Sequence, residues 1–162
     1  MIAMGLLSDE AVEGGLFGRT FGLECAGIVS AVGSGVTKVK VGDEVMATAP
    51  SCLGGFAYPL AAHCVQKPKN IDWNEAASLP VVYTTAYFSL IHHCRLEKGE
   101  TVLIHAAAGG VGIAAINIAR AIGAEIYATV STQEKRDYII SLGVKPENIM
   151  NSRTLSFSDE LF

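Results

Sequence analysis

Thr101-Val102-Leu103-Ile104-His105-Ala106-Ala107-Ala108-Gly109-Gly110-Val111-Gly112 passes from an apolar run into a cluster of three glycines and then into a second apolar run. Val102, Leu103 and Ile104 read as a buried strand, the glycines as one short turn, and Val111 to Ile122 as a helix stopped by Gly123. Val102 to Ala124 carries a single charge, Arg120, and is long enough to cross a membrane. The glycines instead divide it into strand, turn and helix, so no membrane partner is expected. Downstream the pattern repeats, with a strand over Glu125 to Val130, a helix over Gln133 to Leu142 stopped by Gly143, and a short third strand near Asn148 to Asn151. Strands alternating with helices predict parallel βαβ units.

Upstream the pattern is different. Phe21 to Val32, Glu44 to Ala49 and Phe56 to Val65 read as strands separated by the turns Gly33-Ser34-Gly35 and Gly42-Asp43, which suggests a small barrel or sandwich. The pattern changes at Asp72-Trp73-Asn74-Glu75, a capping-box-like helix start, and that helix is expected to end at Pro80. A second helix is expected over Thr84 to Cys94. The whole is an α/β chain, a β unit over residues 1–79 followed by an α/β unit over 80–162.

Composition narrows the function. Among 162 residues half are apolar and 17% charged, below the roughly 25% of an ordinary soluble domain, and this excludes disorder. The mean hydropathy is +0.36. Twelve basic against sixteen acidic residues give a net charge of -4 with no basic block, so nucleic acid is not an expected partner. Met1 to Gly5 lacks the pattern of a secretory signal, and a cytoplasmic setting is expected. Cys25, Cys52, Cys64 and Cys94 are widely spaced and read as small buried hydrophobes. His92 and His93, adjacent in sequence, would point about 100° apart on an α-helix, so no metal site is expected.

Ala107-x-Gly109-x-x-Gly112 between a strand and a helix fits a dinucleotide-binding turn. The helix N-terminus offers unpaired N–H groups and the positive end of a dipole to a pyrophosphate. Gly109, Gly110 and Val111 would supply the close backbone, Gly112 would let the helix pack tightly, and Ala107 stands where such turns usually begin with glycine. The alternative is a glycine turn without a ligand. At the end of the second strand, Val130-Ser131-Thr132 has no carboxylate for a ribose. The hydroxyls of Ser131 and Thr132, followed by Lys135 and Arg136 on the next helix and later by Arg153, suit a 2′-phosphate, which favours NADPH over NADH. The alternative is that Lys135 and Arg136 form only a solvated helix face.

Gly22-Leu23-Glu24-Cys25-Ala26-Gly27, Gly42-Asp43-Glu44-Val45, Leu79-Pro80-Val81-Val82-Tyr83-Thr84-Thr85-Ala86-Tyr87 and the glycine turn together resemble the enoyl reductase domain of reducing polyketide synthases and animal-type fatty acid synthases, in the medium-chain dehydrogenase/reductase superfamily. The resemblance runs from about Met4 to Phe157. It implies a partial GroES-like domain followed by the first half of a Rossmann-type doubly wound sheet. Zinc-dependent members carry a His and a Cys where this chain has Leu23 and Val81, which implies a metal-free reaction. The implied chemistry is NADPH-dependent reduction of an α,β-unsaturated acyl thioester on an acyl carrier protein, with neighbouring synthase domains as partners. Thr84 and Thr85 match positions lining the nicotinamide, the alternative being a helix cap. Tyr83 and Tyr87 read as packing rather than as general acids. The family's suspected proton donors lie beyond Phe162, so no catalytic acid is assigned, and the chain by itself is expected to be inactive and prone to association. A quinone oxidoreductase, or a non-catalytic NADPH-binding module, are the alternative readings.

Overall fold

The structure, a computed structural model, describes residues 8–14, 20–155 and 157–158. Met1 to Gly5, read above for a signal, lies outside the described residues. The chain forms two compact units, Met1–Val81 and Val82–Phe162.

In the first unit a short helix α1 (Asp9–Glu13) precedes three strands, β1 (Glu24–Ile28), β2 (Glu44–Thr48) and β3 (Cys64–Gln66). They form one antiparallel sheet in the order β1-β2-β3, with Glu24 opposite Thr48 and Met46 opposite Val65. The turn before β2 is fixed by Asp43, whose carboxylate accepts from the Lys40 N–H at 3.0 Å. Val39, Val45, Ala47 and Cys64 form the core. The strand expected over Phe21 to Val32 is thus only five residues long. The strand expected over Phe56 to Val65 is corrected more sharply: Phe56, Tyr58 and Leu60 are 71%, 87% and 67% exposed, and β3 begins only at Cys64, after a 3-10 turn over Ala61–His63. Pro59 has no N–H for a ladder, so the apolar run stays unpaired.

Helix α2 (Trp73–Ser78) starts on a full capping box. Asp72 accepts from the Glu75 N–H at 2.8 Å while Glu75 accepts from the Asp72 N–H at 3.0 Å. Asp72→Ala is expected to destabilise this unit by about 1 kcal/mol in urea denaturation, the usual loss for a side-chain cap. Helix α3 (Pro80–Tyr87) corrects the expected start at Thr84, because proline is well suited to a first helical position, where no N–H is needed. It runs on into a π-turn, Phe88–His93. There His92 and His93, both exposed, each lie against Phe88, with ring centroids 4.8 and 4.6 Å away. An α-helical spacing would have splayed the two imidazoles apart.

The second unit contains β4 (Thr101–Ile104), α4 (Gly110–Ile122), β5 (Glu125–Val130), α5 (Gln133–Ser141) and β6 (Ile149–Asn151). The strands are parallel, in the order β4-β5-β6, with Thr101 opposite Glu125 and Ala128 opposite Ile149. Gly123, left-handed at φ 86°, closes α4. Ala114, Ala115, Ile116 and Ala119 on one side of α4 pack with Ile104, Ile126, Ala128 and Ile139 in the buried core. Small residues along that side bring the helix close to the sheet and leave little room for ligand between the two layers. No helix among the described residues is long and apolar enough to cross a membrane.

Candidate functional site

Because β4, β5 and β6 run parallel, the segments following them emerge on one side of the sheet. The glycine turn follows β4, Ser131 follows β5, and Arg153 lies two residues past β6. This carboxyl edge is where ligands bind in open α/β sheets.

The glycine turn is built by its backbone. The Ala107 N–H donates to the Thr129 carbonyl at 3.1 Å, and the Gly109 N–H donates to the Ala106 carbonyl at 2.9 Å. Ala107 is fully buried, so a methyl group at this position packs inward, away from a ligand. The backbone reversal falls instead on Ala106, at φ 50°, a region that costs a non-glycine residue roughly 1 kcal/mol. Gly109 is the N-cap of α4 and supplies no side-chain cap. Gly110, Val111 and Gly112 therefore begin α4 with N–H groups that lack intrahelical partners, at the positive end of the helix. A Cβ on Gly109 would lie 3.3 Å from the Ala106 carbonyl, and one on Gly110 would lie 3.0 Å from Val82. These features fit the pyrophosphate of a dinucleotide, which needs close backbone and unpaired donors.

Around the end of β5, a small cleft is lined by Val130, Ser131, Thr132, Gln133, Arg136, Met150 and Asn151. Of the residues read for a 2′-phosphate, Ser131, Thr132 and Arg136 line the cleft, while Lys135 and Arg153 are exposed and are not among its lining residues. Thr132 caps α5 by accepting from the Lys135 N–H at 3.3 Å. Arg136 is not a solvated charge: its guanidinium donates to the Ile149 carbonyl and, at 2.6 Å, to the Pro146 carbonyl.

Thr84 and Thr85 are exposed and lie mid-helix in α3, which removes the capping alternative. Tyr83 packs, its hydroxyl accepting from Asn117 at 2.8 Å, whereas Tyr87 is 58% exposed and does not. Leu23 and Val81 flank a hydrogen bond in which Glu24 accepts from the Val81 N–H at 2.8 Å. Among the described residues no three His, Cys, Asp or Glu side chains converge as a metal centre requires. His105, which sequence reasoning passed over, ends the β4 segment beside the turn. Its Nδ1 lies 3.0 Å from the Thr129 hydroxyl and its ring meets Phe157 edge-on. Its place directly before the glycine turn was the available signal.

A larger cleft of about 460 Å³ opens in the first unit, lined by Cys25, Cys52, Cys64, Tyr58 and small or aliphatic residues. It presents no cationic group for a phosphate. Burial, followed by a hydrogen bond with Cys52, pushes the Cys25 thiol up to about 12, so it remains protonated at neutral pH. Of the four free cysteines only Cys64 is buried, and Cys94 is exposed, so the reading of all four as core residues holds for one.

Residues 6–76 match the alcohol dehydrogenase GroES-like domain. The chain is 46% identical over 143 residues to highly reducing polyketide synthase 40 of Fusarium mangiferae, an alignment covering 88% of this chain and 6% of that synthase. Among solved structures it is similar to the CurK enoyl reductase, with a TM-score of 0.81 and 48% identity over 87% of this chain and 42% of that one. It is also similar to the Escherichia coli quinone oxidoreductase complexed with NADPH, with a TM-score of 0.76 and 34% identity over 86% of this chain and 43% of that one. The chain thus spans a small part of the synthase and less than half of each reductase.

Proposed function

Since the chain belongs to the enoyl reductase family of reducing polyketide synthases, within the medium-chain dehydrogenase/reductase superfamily, we propose that it takes part in NADPH-dependent reduction of an α,β-unsaturated acyl thioester. What supports this reading is the carboxyl edge of the parallel sheet, at which the glycine turn follows β4 and Ser131 follows β5; Lys135 and Arg153 are the cations assigned here to a phosphorylated dinucleotide at that edge. Residues 80–162 hold the cofactor, and residues 1–79 belong to the substrate side.

When bound, NADPH supplies the hydride that the β-carbon of the enoyl thioester accepts, the α-carbon then taking a proton. The chain's own residues bind and orient. The N–H groups of Gly110, Val111 and Gly112 hold the pyrophosphate, with Gly109 leaving it room to approach. Ser131 donates a hydrogen bond to the 2′-phosphate while Lys135 and Arg153 neutralise it, a set in which a carboxylate would be repelled. Thr84 and Thr85 line the nicotinamide side. The substrate is an acyl chain on an acyl carrier protein, delivered by neighbouring synthase domains.

The reading is tested on the protein carrying this sequence at its full natural length, with crotonyl thioester and quinone offered in parallel. Turnover of the thioester supports it. Turnover of quinone alone replaces it with the second reading, a quinone oxidoreductase, which the likeness to the Escherichia coli enzyme favours. Cofactor choice has a separate test. Lys135→Ala is expected to weaken NADPH about tenfold more than NADH, the loss of one charge-assisted bond. Equal weakening of both would make Lys135 a surface charge only.

A further inference from the structure

The parallel ladder of β4 and β5 ends at Ile104 opposite Ala128, and the next residue of β5, Thr129, continues the join by other means. Its hydroxyl lies 3.0 Å from Nδ1 of His105, and its carbonyl accepts from the Ala107 N–H at 3.1 Å. His105 and Ala107 flank Ala106, the left-handed residue of the turn at φ 50°, so both neighbours of the reversal are tied to one residue of β5. Thr129 is fully buried between Ala128 and Val130, where a valine would suit a parallel strand and a hydroxyl needs a partner. His105 is exposed and supplies that partner whichever ring nitrogen carries the proton, since a hydroxyl both donates and accepts. A non-glycine residue keeps a left-handed backbone only where its surroundings over-determine it. The Gly109 N–H in turn bonds the Ala106 carbonyl, which passes the geometry of Ala106 to the N-cap of α4. We propose that His105 is a positioning residue: by bonding Thr129, it fixes the reversal at Ala106 and so aims the N–H groups that begin α4. Its consequence for cofactor binding rests on the proposed function, but the hold itself does not.

The two parts separate experimentally in the protein at its full natural length. His105→Ala removes the bond, His105→Asn keeps a polar atom near the Nδ1 position, and Thr129→Val removes the hydroxyl with little change of shape. Amide hydrogen exchange, read by mass spectrometry of peptides covering Ala106 to Gly109, is expected to accelerate about fivefold in His105→Ala and in Thr129→Val, the loss of one hydrogen bond. His105→Asn should stay near the parent rate. The dissociation constant for NADPH is expected to rise about fivefold in the first two variants and to recover in His105→Asn. That for adenosine 2′-monophosphate, which carries the 2′-phosphate but no pyrophosphate, should be unchanged. Combining His105→Ala with Thr129→Val should add little to either single loss, as partners in one bond require. Thr129→Val replaces the alanine variant if that variant does not accumulate in folded form, since it leaves no buried hydroxyl without a partner. Unchanged exchange in His105→Ala and Thr129→Val overturns the hold on the turn. Faster exchange with unchanged NADPH affinity, or an equal loss of both ligands, overturns the positioning role. A parent protein that binds no NADPH removes the proposed function, while the exchange comparison still decides whether His105 holds the turn.

Discussion

Gly112→Ala is expected to destabilise the second unit by about 3 kcal/mol, reversing the sign that helix propensity alone would give. Within an exposed helix, alanine is more favourable than glycine by roughly 1 kcal/mol. Gly112, however, is the third residue of α4 and is buried against the turn that leads into it. An added Cβ would lie 2.6 Å from the Ala107 carbonyl oxygen and 2.7 Å from that of Ala106. Both are backbone atoms, and Ala107 is held by its hydrogen bond to Thr129, so neither rotates away. Overpacking of a rigid site typically costs about 1–3 kcal/mol, and here a turn already strained at Ala106 must move as well. Urea denaturation followed by far-ultraviolet circular dichroism measures the loss. Gly109→Ala provides the contrast: its nearest neighbour is a single carbonyl at 3.3 Å, so stability changes little while NADPH affinity falls. A Gly112→Ala protein as stable as its parent would show that the helix does not approach the turn this closely.

The same region shows why some of the fold was legible in sequence. β5 spans Glu125–Val130, as expected, because an apolar run there is bounded by a glycine stop on one side and a threonine cap on the other. Local chemistry marked both ends. The run from Phe56 to Val65 has similar apolar content but no partner along most of its length, and pairing is a property of two segments at once. Pro80 is a different kind of misreading. Proline both ends one helix and begins the next, and only the second half of that rule placed Thr84 and Thr85 mid-helix.

The site was legible where spacing carries the chemistry and obscure where it depends on distant contacts. A strand, three glycines and a helix specify a turn of one shape, and the backbone positions follow. Glu24 was visible only as a motif residue, since nothing in local spacing announces a bond to Val81. Lys135 and Arg136 looked interchangeable, adjacent cations on one helix. Three-dimensional packing separates them, leaving the lysine exposed and turning the arginine onto two carbonyls.

That separation sets the second large effect. Arg136→Ala is expected to destabilise the second unit by about 2 kcal/mol, because hydrogen bonds to charged groups are worth roughly 1.5–3 kcal/mol and partial exposure reduces the sum of the two. The guanidinium joins α5 to the Ile149 and Pro146 carbonyls, at the entrance to β6, a three-residue strand paired with β5. Arg136→Lys should recover no more than half of the loss, since one ammonium cannot present two donors in a fixed fork. Lys135→Ala should leave denaturation unchanged and alter cofactor preference instead. The two substitutions thus exchange roles between adjacent residues, and one pair of measurements, a urea midpoint and an NADPH to NADH affinity ratio, reads both. Because Arg136 also lines the cleft beside Ser131, the opposite result has a definite meaning. If Arg136→Ala keeps full stability but loses NADPH selectively, the guanidinium leaves the two carbonyls when cofactor binds, and the arginine belongs to the phosphate site in place of Lys135.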